Sequence, residues 1–156
     1  MVGELTSPEI ESILGSQAIG HLACTTLDGK PYLIPVTYYY EDGAIYSYTN
    51  EGMKIDIMRE NPKVCFQVED IANQHSWRSV ITWGKFEELP REKHEEVMLR
   101  LQETAEVALE KGVRAYLPFA SAARLEHALR EKELPIAYRV IITEQTGRFE
   151  HNRPEE

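Results

Sequence analysis

AIGHLACTTLDGKPYLIPVTYYYEDGAIYSYT, residues 18–49, decides the fold. Its first two runs, AIGHLACTT and PYLIPVTYYY, are rich in β-branched and aromatic residues, with Asp28-Gly29 between them. Asp-Gly between two such runs is a strong short-range hairpin signal. A second turn, Glu41-Asp42-Gly43, leads into AIYSYT, so the segment predicts three consecutive antiparallel strands. Pro35 interrupts the second of them. A proline cannot donate to a ladder, which marks an edge, a bulge, or a backbone that faces something other than a strand.

Working outward, Thr6 and Glu9 have capping-box spacing around Pro8, and Ile10, Ile13 and Leu14 give one apolar face; a helix is expected from Pro8 to Gly15. GMKIDIMREN predicts a short helix stopped by Asn61-Pro62. KVCFQVE alternates as a strand, and WRSVITWGKFEEL predicts another, bent at Gly84. After Pro90 the period changes. Val97, Leu101, Ala105 and Leu109 recur at i+4 in a helix over 91–111, and Leu125 and Leu129 mark a second near 121–132. IAYRVIITEQTGRFE closes as a strand. Antiparallel strand runs with separate helical blocks predict a mainly β fold with α elements, a nearly closed barrel with peripheral helices. One domain over 1–150 and a disordered tail over 151–156 are expected.

Bulk properties exclude several functions. The net charge of −9 argues against a nucleic-acid partner. No apolar run approaches the roughly 20 residues of a membrane helix, so no membrane partner is expected and the cytoplasm is the expected location. Cys24 and Cys65 read as buried free thiols. The histidines at 21, 75, 94, 127 and 151 form no HxxxH or HxH pair, so no metal is expected. GxGxxG, GxxxxGK[ST] and GxSxG are absent from the sequence.

Two places could hold a ligand. Tyr48-Thr49-Asn50-Glu51-Gly52 leaves a strand and enters a helix containing Lys54, a geometry that exposes free N–H groups to an anion. Glu51 opposes it. Taken alone, the pattern is also that of an ordinary connector with a capped helix and a solvated lysine, which is the commoner case. The strand around Pro35, Val36, Thr37 and Tyr38 could offer backbone groups to the edge of a planar ring, or could be a plain strand. Trp77, Ser79 and Trp83 form a third cluster in which tryptophan is either core filling or a boundary residue.

The ordered series IGHLACTTLDGKPYLIPVTYYYEDGAIYSYTNEGMK, NPKVCFQVED and WRSVITWGKFEEL resembles the pyridoxamine-phosphate-oxidase-like FMN-binding split-barrel family, in the branch with nitroimidazole-resistance proteins. The resemblance implies a six-stranded antiparallel split β-barrel, a homodimer, and FMN between subunits. It implies that Pro35, Val36, Thr37 and Tyr38 run along the flavin ring, that Tyr48, Thr49 and Lys54 receive the phosphate, and that Trp77 and Ser79 approach the cofactor. The branch often carries a histidine where this chain has Tyr48. The implied activity is a flavin-dependent oxidoreductase acting on a small molecule, with no assigned catalytic residue; His21 and Tyr48 are the acid/base candidates. The alternative is a non-catalytic binder of flavin, deazaflavin or haem.

Overall fold

A computed structural model of the chain describes residues 1–151, and the remainder of the expected tail, 152–156, lies outside the described residues. The elements run β1 (Val2–Glu4), α1 (Ser7–Ser16), β2 (Ile19–Thr25), β3 (Pro31–Thr37), β4 (Tyr39–Glu41), β5 (Ala44–Thr49), α2 (Met53–Glu60), β6 (Lys63–Asn73), β7 (Ser76–Glu88), α3 (Arg91–Glu110), α4 (Ala122–Glu131) and β8 (Ile136–His151). All strand pairs are antiparallel, in the order β3-β2-β6-β7-β8-β5-β4, with β1 added to β8.

Eight strands replace the expected six, for two local reasons. β1 is a three-residue addition along the far end of β8, and β4 is broken off the β3 run at Tyr38. At this break the Tyr38 N–H still donates to the Ala18 carbonyl, the next β2–β3 register position, while its hydroxyl donates to the Leu14 carbonyl of α1. The remaining six strands curl into the split barrel. β8 also runs into the expected tail: His151 is its last residue, and its N–H donates to the Met1 carbonyl.

The sheet ends at β3 on one side and at β4–β5 on the other, and no ladder among the described residues joins them. Pro35 therefore lies in an edge strand, where its missing N–H costs least. The seam between β3 and β5 is crossed by a side chain instead: Ser47 Oγ donates to the Thr37 carbonyl at 2.6 Å.

Alternation decides which residues line the interior. Gly20, Leu22 and Cys24 of β2 face inward, while His21 and Ala23 face out, so His21 and Cys24 point to opposite faces. Gly20 is required by close packing, since a Cβ there would lie 2.2 Å from the Phe66 ring. Gly84 permits the expected bend. The β7–β8 register shifts between Trp83 and Gly84, and a Cβ on Gly84 would meet the Ile141 carbonyl oxygen at 2.3 Å. Phe66, Tyr38, Ile45, Val80 and Tyr138 join Ile13 and Leu14 of α1 and Ile55 and Met58 of α2 in the main core. The α1 capping box is formed as expected.

A second core lies between α3 and the sheet, where Val97, Met98 and Leu101 pack with Tyr39 and Ala137. Leu109 is exposed, against expectation. Each i+4 step turns about 40° past a full helical turn, so the last member of the series rotates off the buried face. Cys65 also departs from expectation, being half-buried on the outer face of β6.

Candidate functional site

A cleft of about 470 Å³ opens along the seam, within the roughly 300–1,000 Å³ range of small-molecule sites. One wall is β3, through Tyr32, Ile34, Pro35, Val36 and Thr37; the other is the end of β5 with the turn into α2, through Tyr48, Thr49, Asn50, Gly52 and Lys54. The split in the barrel thus brings together two segments that are separate in sequence.

At the closed end, α2 begins at Gly52 with no side-chain cap, so its first-turn N–H groups have no side-chain acceptor. Lys54 is the second residue of this helix and lines the cleft. Its ammonium is half-buried and has no ion pair among the described residues. Desolvation lowers its pKa, opposed by the neighbouring Cys24 thiol. Burial raises the Cys24 pKa, opposed in turn by Lys54. A desolvated cation beside an uncapped helix start is chemically a seat for an anion. Thr49 is buried here, its hydroxyl donating to the Asn50 carbonyl at 2.9 Å and able to turn toward a ligand.

Glu51 also lines the cleft and would oppose an anion, but its carboxylate is paired. Arg59 donates to both Glu51 oxygens, at 2.9 and 3.2 Å, and to both Glu88 oxygens, at 2.8 and 3.0 Å.

The sequence-derived residues fall in three places. Pro35, Val36, Thr37, Tyr48, Thr49 and Lys54 line the cleft together. Tyr38 does not, because its side chain fills the core with its ring edge toward Phe66 at 5.0 Å between centroids. Trp77 and Ser79 stand three strands from β3, where Trp77 Nε1 donates to Glu150 at 2.9 Å and Ser79 accepts from Gln67 at 3.1 Å. Burial raises the Tyr48 pKa, so its phenol stays protonated at neutral pH.

Sequence reasoning missed Tyr116. This exposed ring, in the irregular segment between α3 and α4, lines the cleft, and it is fixed there by Thr37. Thr37 Oγ1 donates to the Tyr116 carbonyl at 2.8 Å and accepts from the Tyr116 N–H at 3.3 Å. The same segment is held farther on by Gln102, whose amide accepts from the Phe119 N–H and donates to its carbonyl. A loop ring with no periodicity leaves no sequence signal.

A second cavity, of about 380 Å³, shares Pro35 and Tyr116 with the first and is also lined by His21, Glu69 and Arg114. Its histidine has a defined tautomer. Gln67 Nε2 lies 3.1 Å from a Glu69 carboxylate oxygen, which only accepts, so Gln67 Oε1 must face His21. His21 Nδ1 therefore donates, at 3.1 Å.

Comparison with known proteins agrees with this fold. A family model described as pyridoxamine 5'-phosphate oxidase matches residues 6–149. The chain belongs to that family. An uncharacterized protein of Rhizobium meliloti (strain 1021) is 35% identical over 86 residues, 55% of this chain and 56% of the relative, so the match spans about half of each. Among solved structures, a FAD-binding protein from Mesorhizobium loti superposes with TM-score 0.72 at 28% identity, covering 96% of this chain and 98% of the other. A Bacteroides thetaiotaomicron VPI-5482 protein, provisionally assigned to 5-nitroimidazole antibiotic resistance, gives 0.64 at 19% identity, covering 96% and 87%. The FAD-binding protein of Mycobacterium smegmatis gives 0.59 at 23% identity, covering 94% and 98%. The last two likenesses bear on the fold alone.

Proposed function

We propose that the chain is a flavoprotein that holds FMN in the seam cleft and serves as a flavin-dependent oxidoreductase on a small molecule. The observation that carries this is Lys54, desolvated and without a carboxylate partner among the described residues, beside an uncapped helix start. In this reading Lys54, Thr49 and the first-turn N–H groups hold the phosphate, while the unpaired edge of β3 at Pro35, Val36 and Thr37 lies along the ring. Tyr38, whose side chain lies in the core and whose N–H is donated to Ala18, has no part in this reading. FMN would supply two-electron transfer. The chain's part is to bind and orient it, and Tyr116 excludes water from one side of the cleft. His21, on the adjoining cavity that shares Pro35 and Tyr116 with the cleft, is the candidate to take or return a proton.

The active form in this proposal is a homodimer. Leu33, Ala23, Cys65 and Trp83 are cross-strand neighbours on the outer face of β3, β2, β6 and β7, with Leu33 66% and Trp83 38% exposed. Such an apolar row suits a second copy of the chain. Trp77 and Ser79, remote from the cleft of their own chain, would reach cofactor only in the partner.

FAD is the second reading, favoured by the FAD-binding relative at 28% identity. The absorption spectrum of purified protein, with mass spectrometry of whatever denaturation releases, decides between them. A yellow protein releasing FMN supports the proposal, FAD selects the second reading, and a protein that stays colourless after addition of either flavin refutes both. Anaerobic reduction followed by an acceptor tests turnover: reoxidation no faster than that of free FMN would identify a non-catalytic binder. A released haem or deazaflavin would replace the cofactor assignment.

A further inference from the structure

We propose that Arg59 is a positioning residue for the anion seat, acting by withdrawing the Glu51 carboxylate from it; this rests on the phosphate-binding reading above. Glu51 lies on the cleft wall between Asn50 and Gly52, one residue before the uncapped start of α2. Left free, a carboxylate there would sample the same N–H groups and ammonium that a phosphate uses. It would compete as an intramolecular anion, at the high effective concentration that tethering gives. Arg59 removes that competitor. It sits on the last turn of α2 and grips Glu51 through two N–H bonds, while Glu88 of β7 grips Arg59 through two more. The planar fork of a guanidinium suits this arrangement.

The clamp is anchored at its far end. Glu88 pairs with Tyr138 of β8 and precedes Leu89, whose N–H donates to the Ala137 carbonyl. Its hydrogen bonds to Arg59 and the attraction of the same cation hold the Glu88 pKa below the usual carboxylate range, so it stays ionised at neutral pH. Asp56 also lies within 4.0 Å of Arg59 but on the exposed helix surface. The charge inventory around the seat is thereby sorted: the Glu51 carboxylate on the cleft wall is paired with Arg59, and Lys54 lines the same cleft with no ion pair among the described residues.

Titrating wild type, Arg59→Ala, Glu51→Gln, the double variant and Arg59→Ala/Glu88→Gln with FMN and with riboflavin, which lacks the phosphate, tests this. Arg59→Ala should weaken FMN roughly three- to tenfold, the scale of one partly exposed charge contact, and leave riboflavin unchanged. Adding Glu51→Gln should restore FMN affinity, whereas adding Glu88→Gln should not. Equal loss of both ligands with no rescue would mean that Arg59 merely orders the loop, and would overturn the proposal. Unchanged FMN binding in Arg59→Ala would overturn it too. Wild type that fails to prefer FMN over riboflavin removes the underlying reading and this inference together; a preference retained without Glu51-specific rescue removes only the inference.

Discussion

Replacing Lys54 with Gln should weaken cofactor binding while leaving the free protein at least as stable. The two effects have one source. Lys54 has been moved partly out of water with no ion pair among the described residues, so the ordered protein carries an uncompensated cation that Gln removes. A charge-assisted hydrogen bond to a phosphate is worth about 1.5–3 kcal/mol, or roughly 10- to 150-fold in affinity. Half-burial of the ammonium places the expected loss toward the lower end. Riboflavin should bind both proteins equally. The folded-state pKa of Lys54 is depressed, so between that value and the unfolded lysine value the unfolded chain binds more protons, and stability rises with pH. The cost of the buried charge is present in full below the folded-state pKa and is gone above the unfolded one. Urea unfolding of apo protein across the alkaline range should show this rise in wild type, and a smaller one in Lys54→Gln. FMN affinity unchanged by the substitution, or riboflavin lost in parallel, would refute the reasoning.

Tyr38→Phe should cost about 0.5–1.5 kcal/mol in urea unfolding, through loss of the hydroxyl bond to the Leu14 carbonyl, with no change in FMN affinity because that side chain lies in the core. Gly20→Ala should destabilise by about 1–3 kcal/mol in the same assay, since its Cβ would overlap the buried Phe66 ring. Leu33→Glu, on the outer apolar row, should shift the mass in light scattering from dimer to monomer. His21→Gln should slow reoxidation of reduced protein by an acceptor while sparing FMN affinity, as rapid-mixing absorbance would show.

The barrel was legible because its informative residues are local. Asp28-Gly29 and Asp42-Gly43 announce turns, alternation in β2 and β6 reports the inward face, and Pro35 marks an edge. What escaped was set by distant partners. β1 exists because β8 is long enough to pair with it, and three residues carry no period of their own. At Tyr38, where the β3 run breaks, a hydroxyl reaches back to α1, 24 residues away. At the site, strand, turn and helix start identified the Lys54 segment, yet the sequence could not show that Glu51 is held off by Arg59, a contact that also depends on Glu88 29 residues farther on. Tyr116 was invisible for the same reason. Its place depends on Thr37, 79 residues away.

Calorimetric titration of apo protein with FMN, alone and in the presence of excess inorganic phosphate, tests the central claim most directly. The account predicts FMN binding that exceeds riboflavin binding and is weakened competitively by phosphate. Binding that is indifferent to both the phosphate group and the competitor would contradict it.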